Sequence, residues 1–206
     1  VPTLYHCADA RSLRVLWALE ELDLQYELKV LPYPPRQKSP EFLQVNPVGT
    51  VPYLVDGHTT MNESTAILQY IAVKHGDGKL AVAPSDPAYG AWLNWLAFGE
   101  AALTVPLAAA LRFSFLEPED KRQPALAEGF RGTFFDRLGV AEAALANSKF
   151  LCADRFTVAD ISVGYNLHLA ARMRLLERMS PRIQSYFAEL QARPAYQRAK
   201  EKQKAA

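Results

Sequence analysis

Asn46-Pro-Val-Gly-Thr-Val-Pro-Tyr-Leu-Val-Asp-Gly-His-Thr-Thr-Met-Asn-Glu-Ser-Thr-Ala-Ile67 is the stretch around which the rest of the chain is organised. Asn46, Pro47 and Gly49 form a breaker cluster, and Val51, Tyr53, Leu54 and Val55 after it favour strand. Asp56-Gly57 is the dipeptide of a tight hairpin turn, where Gly supplies a positive φ cheaply. A second short strand follows. Ala66, Ile67, Tyr70 and Ile71 then repeat with helical spacing, so a helix begins near Ser64 or Thr65.

Pro52 is the odd residue in an otherwise strand-like run. It has no backbone donor and belongs at an edge, a strand start or a bulge. A bend there exposes the main chain of Val51, and a cis bond, at a cost of about 0.5–1 kcal/mol for X–Pro, is one way to make it. Such an edge can pair with an extended peptide. Ser64 at a helix N-terminus can hold a carboxylate through its hydroxyl and backbone N–H groups, and Glu63 beside it can hold an ammonium. Edge, anion site and carboxylate together suit a small zwitterionic peptide.

The stretch resembles the glutathione-binding segment of the cytosolic glutathione S-transferase superfamily, which reads roughly Asn-Pro-x-Gly-x-x-Pro, a hairpin, then Glu-Ser before a helix. The resemblance implies that Val51 pairs with the cysteinyl backbone of glutathione ahead of a cis Pro52. It implies that Glu63 and Ser64 hold the amino and carboxylate groups of the γ-glutamyl end. Members of the family often meet the glycyl carboxylate with a basic or amide side chain before the Asn-Pro motif, where Arg36, Gln37 and Lys38 stand. Thr50 occupies a position where many members carry Lys.

The flanking chain fits a thioredoxin-like domain. Thr3-Leu-Tyr-His-Cys7 reads as a strand, 8–11 as a loop with Asp9 as helix cap, and Leu13, Val15, Leu16, Leu19 and Leu22 as a helix with Glu20 and Glu21 facing solvent. Tyr26 to Val30 alternates as a second strand. A strand–helix–strand unit of this length requires parallel pairing and a right-handed crossover, so the order is βαβ then ββα. The prolines between Leu31 and Pro40 are read as a loop without regular helix, and Glu41-Phe-Leu-Gln as one helical turn.

From Lys79 the texture changes. Strand patterning stops, and Pro84-Ser-Asp-Pro87 reads as a linker. The expected division is a thioredoxin-like domain over 1–78, a linker over 79–87 and an all-helical domain over 88–206. Within the latter, 88 to about 115 is a long helix kinked at Pro106. A second helix, 119 to about 146, is expected to be broken or bent near Gly129 or Gly132. Thr157 and Asp160 form a capping box ahead of an apolar central helix, with a structural role only. The Lys-rich end is read as a solvated terminus. Leu151 to Ile161, Ala192 to Tyr196 and Trp95 to Glu100 resemble the corresponding helical segments of the family, so the resemblance covers nearly the whole chain.

Composition sets bounds. Half of the 206 residues are hydrophobic and the formal charge is +1, which argues against a basic footprint for nucleic acid. No uninterrupted apolar run approaches the roughly 18–20 residues needed to span a bilayer, and no secretion signal is evident at the N-terminus. Two cysteines, Cys7 and Cys152, make neither a disulfide framework nor a zinc site. The expectation is a cytoplasmic protein with no metal, no nucleic acid and no membrane partner.

The resemblance implies chemistry in which the glutathione thiol is ionised and attacks an electrophile. A free thiol titrates near pH 8.5, and each unit of downward shift needs about 1.4 kcal/mol of extra thiolate stabilisation. The hydroxyl that supplies part of it belongs in the loop between first strand and first helix. The family's Ser pattern meets Ala8-Asp9-Ala10 here, and its Ala-Cys-Ser-Leu pattern meets Ala10-Arg11-Ser12-Leu13. Ser12 is therefore the first candidate, Tyr5 the second, and Arg11 a source of positive charge. Cys7 is expected to be buried and inert, and His6 to be packing. An apolar electrophile would lie between the domains against Phe98, Arg112 and Phe113. The implied activity is a detoxifying transferase acting as a homodimer with glutathione as co-substrate. The same site also admits a glutathione-dependent isomerase, dehalogenase, lyase or peroxidase, or a non-catalytic binding module.

Overall fold

β1 (Thr3–His6) runs parallel to β2 (Glu27–Val30), with Thr3 opposite Glu27 and His6 opposite Val30, and α1 (Ser12–Glu21) makes the crossover. β3 (Tyr53–Asp56) lies antiparallel to β1, and β4 (Thr59–Met61) antiparallel to β3, giving the sheet order β2-β1-β3-β4. α3 (Ser64–Lys74) follows and packs on α1. This is the thioredoxin-like βαβ–ββα order. The computed structural model describes residues 1–204.

Two local readings are refined. The proline-rich segment is not a plain loop, because it contains a short helix, α2 (Pro35–Lys38), and a 3₁₀ turn over Pro40–Gln44. Pro35 stands in the first turn of α2, where its missing N–H leaves no bond unmade. In the hairpin, Asp56 still pairs with Thr59, so Gly57 and His58 make the turn and Gly57 adopts φ 62°.

Two compact units divide the chain: Val1–Ala81 together with the segment from Gln191 onward, and Val82–Leu190. The closing segment thus belongs with the sheet, not with the helical part as the expected 88–206 domain had it. The reason is chemical. In α9 (Pro194–Lys202) Tyr196 meets Trp17 edge-on, with centroids 4.9 Å apart. Arg193 holds Glu21 through two bonds of 2.6 and 2.8 Å, while Arg198 and Lys202 both reach Glu20. Glu20 and Glu21 therefore do not face solvent, and the basic end of the chain is an ion-paired helix rather than a solvated tail. Burial alone would raise the Glu20 pKa, but Lys202, Tyr26 and Arg198 together hold it below its usual value.

In the second unit α4 (Tyr89–Phe98) continues through a π-helical segment, Gly99–Thr104, into α5 (Val105–Leu111) and a second π segment, Arg112–Leu116. Pro106 sits just beyond the first π segment, which takes up the irregularity that a proline imposes. The loosened ladder leaves Gly99 O to accept from Asn166 Nδ2 at 2.7 Å and Thr104 Oγ1 at 2.9 Å. A Cβ on Gly99 would lie 2.2 Å from Ser162 Oγ, so the approach requires glycine. Tyr89–Leu116, 28 residues long, is apolar and long enough to cross a membrane by length and composition, which a count of uninterrupted apolar residues overlooks. Within the unit α4 packs on α7 (Val158–Arg172), and α5 on α6 (Pro124–Ala144).

α6 begins at Pro124, and Glu119–Lys121 forms a separate 3₁₀ turn. The helix runs unbroken through Gly129 and Gly132, so no break occurs there: a helical glycine costs about 1 kcal/mol relative to Ala without dictating a break. α7 is buried from Val158 to Ala170, and its capping box is formed. Asp160 accepts from Thr157 N, Leu151 N and the Tyr186 hydroxyl, the last from α8 (Pro181–Gln191).

Candidate active site

Residues 46–52 are shaped by one buried side chain. Asn46 Nδ2 donates to Thr50 O at 2.9 Å, and Asn46 Oδ1 accepts from Val48 N at 3.2 Å. Gly49 N bonds to Asn46 O, with Gly49 at φ 68° and a would-be Cβ 2.8 Å from Leu43 Cδ2. The turn delivers Val51 to a cis bond with Pro52. The β1–β3 ladder ends at the Tyr5–Tyr53 pair, so the Val51 backbone lies beyond the last paired residue, at the place where an extended peptide could continue the sheet.

α3 starts a few residues later. Glu63 is its extended N-cap residue with no side-chain capping bond, and its side chain is exposed. Ser64 is the first helical residue and is nearly buried. Arg14 Nη1, from α1, donates to Ser64 Oγ at 3.1 Å. No acidic residue occupies the first turn of α3, so apart from the exposed N-cap residue Glu63 no side chain of that turn offsets the partial positive charge of its N-terminus.

The loop 7–11 and the start of α1 form the other end. Ser12 is completely buried. Its Oγ accepts from Cys7 N at 3.2 Å and donates to Cys7 O at 3.4 Å. The hydroxyl thus closes the loop onto the helix and is spent inside the protein, which turns it away from the thiolate role expected of it. Tyr5 alternates with Leu4 and His6, so it points to the opposite sheet face, where its ring packs on Phe42 at 5.1 Å and Tyr53 at 6.0 Å. Arg11 is the N-cap residue of α1 and is half-buried.

Asp9 does not cap the helix. It adopts φ 57° and is gripped from the far end of the chain: Lys200 Nζ and Gln203 Nε2 donate to its Oδ1 at 2.6 and 2.7 Å, and its N–H donates to Gln203 Oε1. Its carboxylate is therefore engaged by Lys200 of α9 and by Gln203 just beyond it, and the first turn of α1 contains no acid. Burial lowers the pKa of His6 to about 4, against the raising influence of Gln203, Ser12 and Asp9. Burial pushes the Cys7 thiol up to about 11, and its Sγ lies 3.8 Å from Pro32 O. Neither group is placed for chemistry.

Gln37, Lys38 and Thr50 are all exposed, while Arg36 donates to Val48 O at 3.2 Å and so braces the Asn46 turn. In the second unit Phe98 packs edge-on to Trp95, Phe113 stacks on Phe130, and the exposed Arg112 pairs with Glu117 at 2.5 Å.

Residues 4–79 match the family model described as glutathione S-transferase, N-terminal domain. The chain is 31% identical over 196 residues to a glutathione S-transferase of Hyoscyamus muticus, covering 91% of each. It is 35% identical over 162 residues to glutathione S-transferase 1 of Schizosaccharomyces pombe, covering 76% of this chain and 70% of the other. This chain belongs to the glutathione S-transferase family of enzymes. Among solved members of the family, a glutathione transferase from Methylococcus capsulatus superimposes with a TM-score of 0.87 at 30% identity, covering all of both chains. Another, from Phanerochaete chrysosporium in complex with oxidized glutathione, gives 0.87 at 32% identity, covering 99% of this chain and 96% of that one.

Against this family background, sequence reasoning overlooked Arg14, Lys200 and Gln203. Arg14 carried a signal, a charge within the apolar face of α1. The other two had none, since nothing local ties them to Asp9.

Proposed function

We propose that this protein conjugates glutathione to an apolar electrophile. Val51 pairs with the cysteinyl backbone, the N-terminus of α3 with Ser64 holds the γ-glutamyl carboxylate, and Glu63 meets the γ-glutamyl ammonium. Gln37 or Lys38 meets the glycyl carboxylate, with Thr50 beside them. The thiol then lies at the N-terminus of α1. There the helix dipole and the charge of Arg11 favour the thiolate, in place of a hydroxyl from Ser12 or Tyr5. The observation that carries this reading is the pairing of an unladdered Val51 backbone with an α3 N-terminus whose first turn holds no acid and whose N-cap is Glu63, both in one compact unit.

In the reaction the thiol proton passes to solvent, the sulfur forms a bond to the electrophilic carbon, and the leaving group departs with the electrons of the broken bond. The protein contributes positioning and thiolate stabilisation. Phe98, Arg112 and Phe113 are the proposed contacts for the electrophile, and assembly as a cytoplasmic homodimer belongs to the same reading.

Incubation with glutathione and an activated aryl halide tests it. Enzyme-dependent loss of glutathione with stoichiometric conjugate and halide supports the transferase. Glutathione returned unchanged while the second substrate rearranges would make the protein an isomerase instead.

A further inference from the structure

The closing helix grips α1 at two ends. Arg198 and Lys202, four positions apart on one face of α9, both reach Glu20 in the last turn of α1, and the bonds of Arg193 to Glu21 lie at that same end. Lys200 and Gln203, three positions apart, instead reach Asp9 ahead of the first turn. The grip on Asp9 combines two kinds of bond. The Gln203 amide is neutral; it donates to Asp9 Oδ1 at 2.7 Å and accepts from Asp9 N at 3.2 Å, with Asp9 at φ 57°. Lys200 Nζ, 2.6 Å from the same Oδ1, adds a charge that holding the loop does not require.

We propose that Lys200 is a positioning residue for the thiol end of the site: it holds the Asp9 carboxylate in a neutral pair, so that no unbalanced negative charge stands before the N-terminus of α1. The inference rests on the reading that the glutathione thiol lies at that N-terminus. A thiolate there is favoured by the positive helix end and by Arg11, and opposed by any nearby anion. The two side chains are 24% and 25% exposed, so water and salt screen the pair only in part. His6 registers both charges. Burial dominates its low pKa of about 4, but Asp9 pulls that value up while Lys200 pulls it down. Tyr196 of α9 also feels Asp9, whose charge adds to the burial that raises its pKa to about 12. Through the range in which a glutathione thiol ionises, His6 is thus neutral, and Tyr196 and Cys7 keep their protons. Asp9, Lys200 and Arg11 are the charges that matter around this loop.

The test titrates the ultraviolet thiolate absorbance of glutathione bound to the full chain against pH. Calorimetry with S-methylglutathione, which has no thiol to ionise, reports binding separately. Lys200→Met leaves the pair with one negative charge and should raise the bound thiol pKa by about 0.5–1 unit. Asp9→Asn, which keeps an oxygen for Gln203, leaves one positive charge and should lower the pKa by a similar amount. The double variant is neutral again and should return to within about 0.3 unit of wild type. Lys200→Arg keeps the charge and should keep the wild-type value. Added salt should shrink both single shifts, and the Kd for S-methylglutathione should stay put in Lys200→Met.

Should Lys200→Met fail to fold, Lys200→Gln, whose amide can donate without a charge, is measured the same way. Single variants that shift the thiol in the same direction, or a double variant that moves further than either, would make the pair a structural tie and overturn the proposal. So would an unmoved thiol in folded Lys200→Met. Wild-type protein that binds both ligands with an unshifted glutathione thiol would overturn the placement of the thiol at α1. Wild-type protein that binds neither ligand would overturn the glutathione reading itself, and either result takes this inference with it.

Discussion

At one end of the site, Asn46 and Gly49 shape the turn that presents Val51, and α3 with Ser64 begins a few residues later. At the other end, the loop 7–11 is held by Lys200 and Gln203, nearly two hundred positions away. In the proposed reading the first of these holds the carboxylate and is assembled mostly from neighbours in sequence, and the second holds the thiol and is fastened by residues from far along the chain. An arrangement built by local turn chemistry tolerates changes elsewhere. One built by a distant strap depends on the whole unit being folded.

The sharpest break of the local end is Gly49→Val. It forces a β-branched residue into φ 68° and against Leu43 and Arg36, and it should cost roughly 2–4 kcal/mol. Urea denaturation measures this, and an unchanged midpoint would refute the idea that this turn is sterically specified.

The strapped end should be the acid-sensitive one, through His6. Burial lowers its folded pKa to about 4 from 6.5, so between these values the unfolded chain binds more protons than the folded one. Stability from this group is full above pH 6.5 and is lost as pH falls toward 4, by about 3 kcal/mol at most. His6→Gln should flatten that part of the stability–pH curve. A slope identical to wild type between pH 4 and 6.5 would show that other groups carry it.

Ser64→Ala should weaken glutathione binding about 10- to 100-fold, with kcat at saturation little changed. Smallest of all, Gln203→Ala removes the partner of Asp9 N and should lower stability by about 1 kcal/mol. Its diagnostic is the bound thiol, whose pKa should rise more than the glutathione Kd does. The reverse order would mean that the strap supports the carboxylate end instead.

The same contrast explains what was legible in the sequence. Asn46, Gly57 and the Thr157–Asp160 box announce themselves because each satisfies or bends backbone within five residues of itself. The sequence places Glu20 and Glu21 toward solvent because helical periodicity sees only a helix's own faces, and α9 covers one of them. Ser12 has a hydroxyl in the right turn for a thiolate partner, but residue type and spacing do not reveal that the backbone of Cys7 takes that hydroxyl. The Lys-rich end reads as solvated for the same reason: the carboxylate partners of Lys200 and Lys202 lie far away in sequence.

The central claim is a glutathione thiolate stabilised by the N-terminus of α1 and Arg11. Its most direct test is the ultraviolet thiolate absorbance of bound glutathione, titrated against pH in wild type, Ser12→Ala and Arg11→Met. The account predicts a bound pKa well below the usual value of about 8.5, unchanged in Ser12→Ala and raised in Arg11→Met. Tight binding with an unshifted thiol, or a shift abolished by Ser12→Ala in a protein that remains folded, would contradict it.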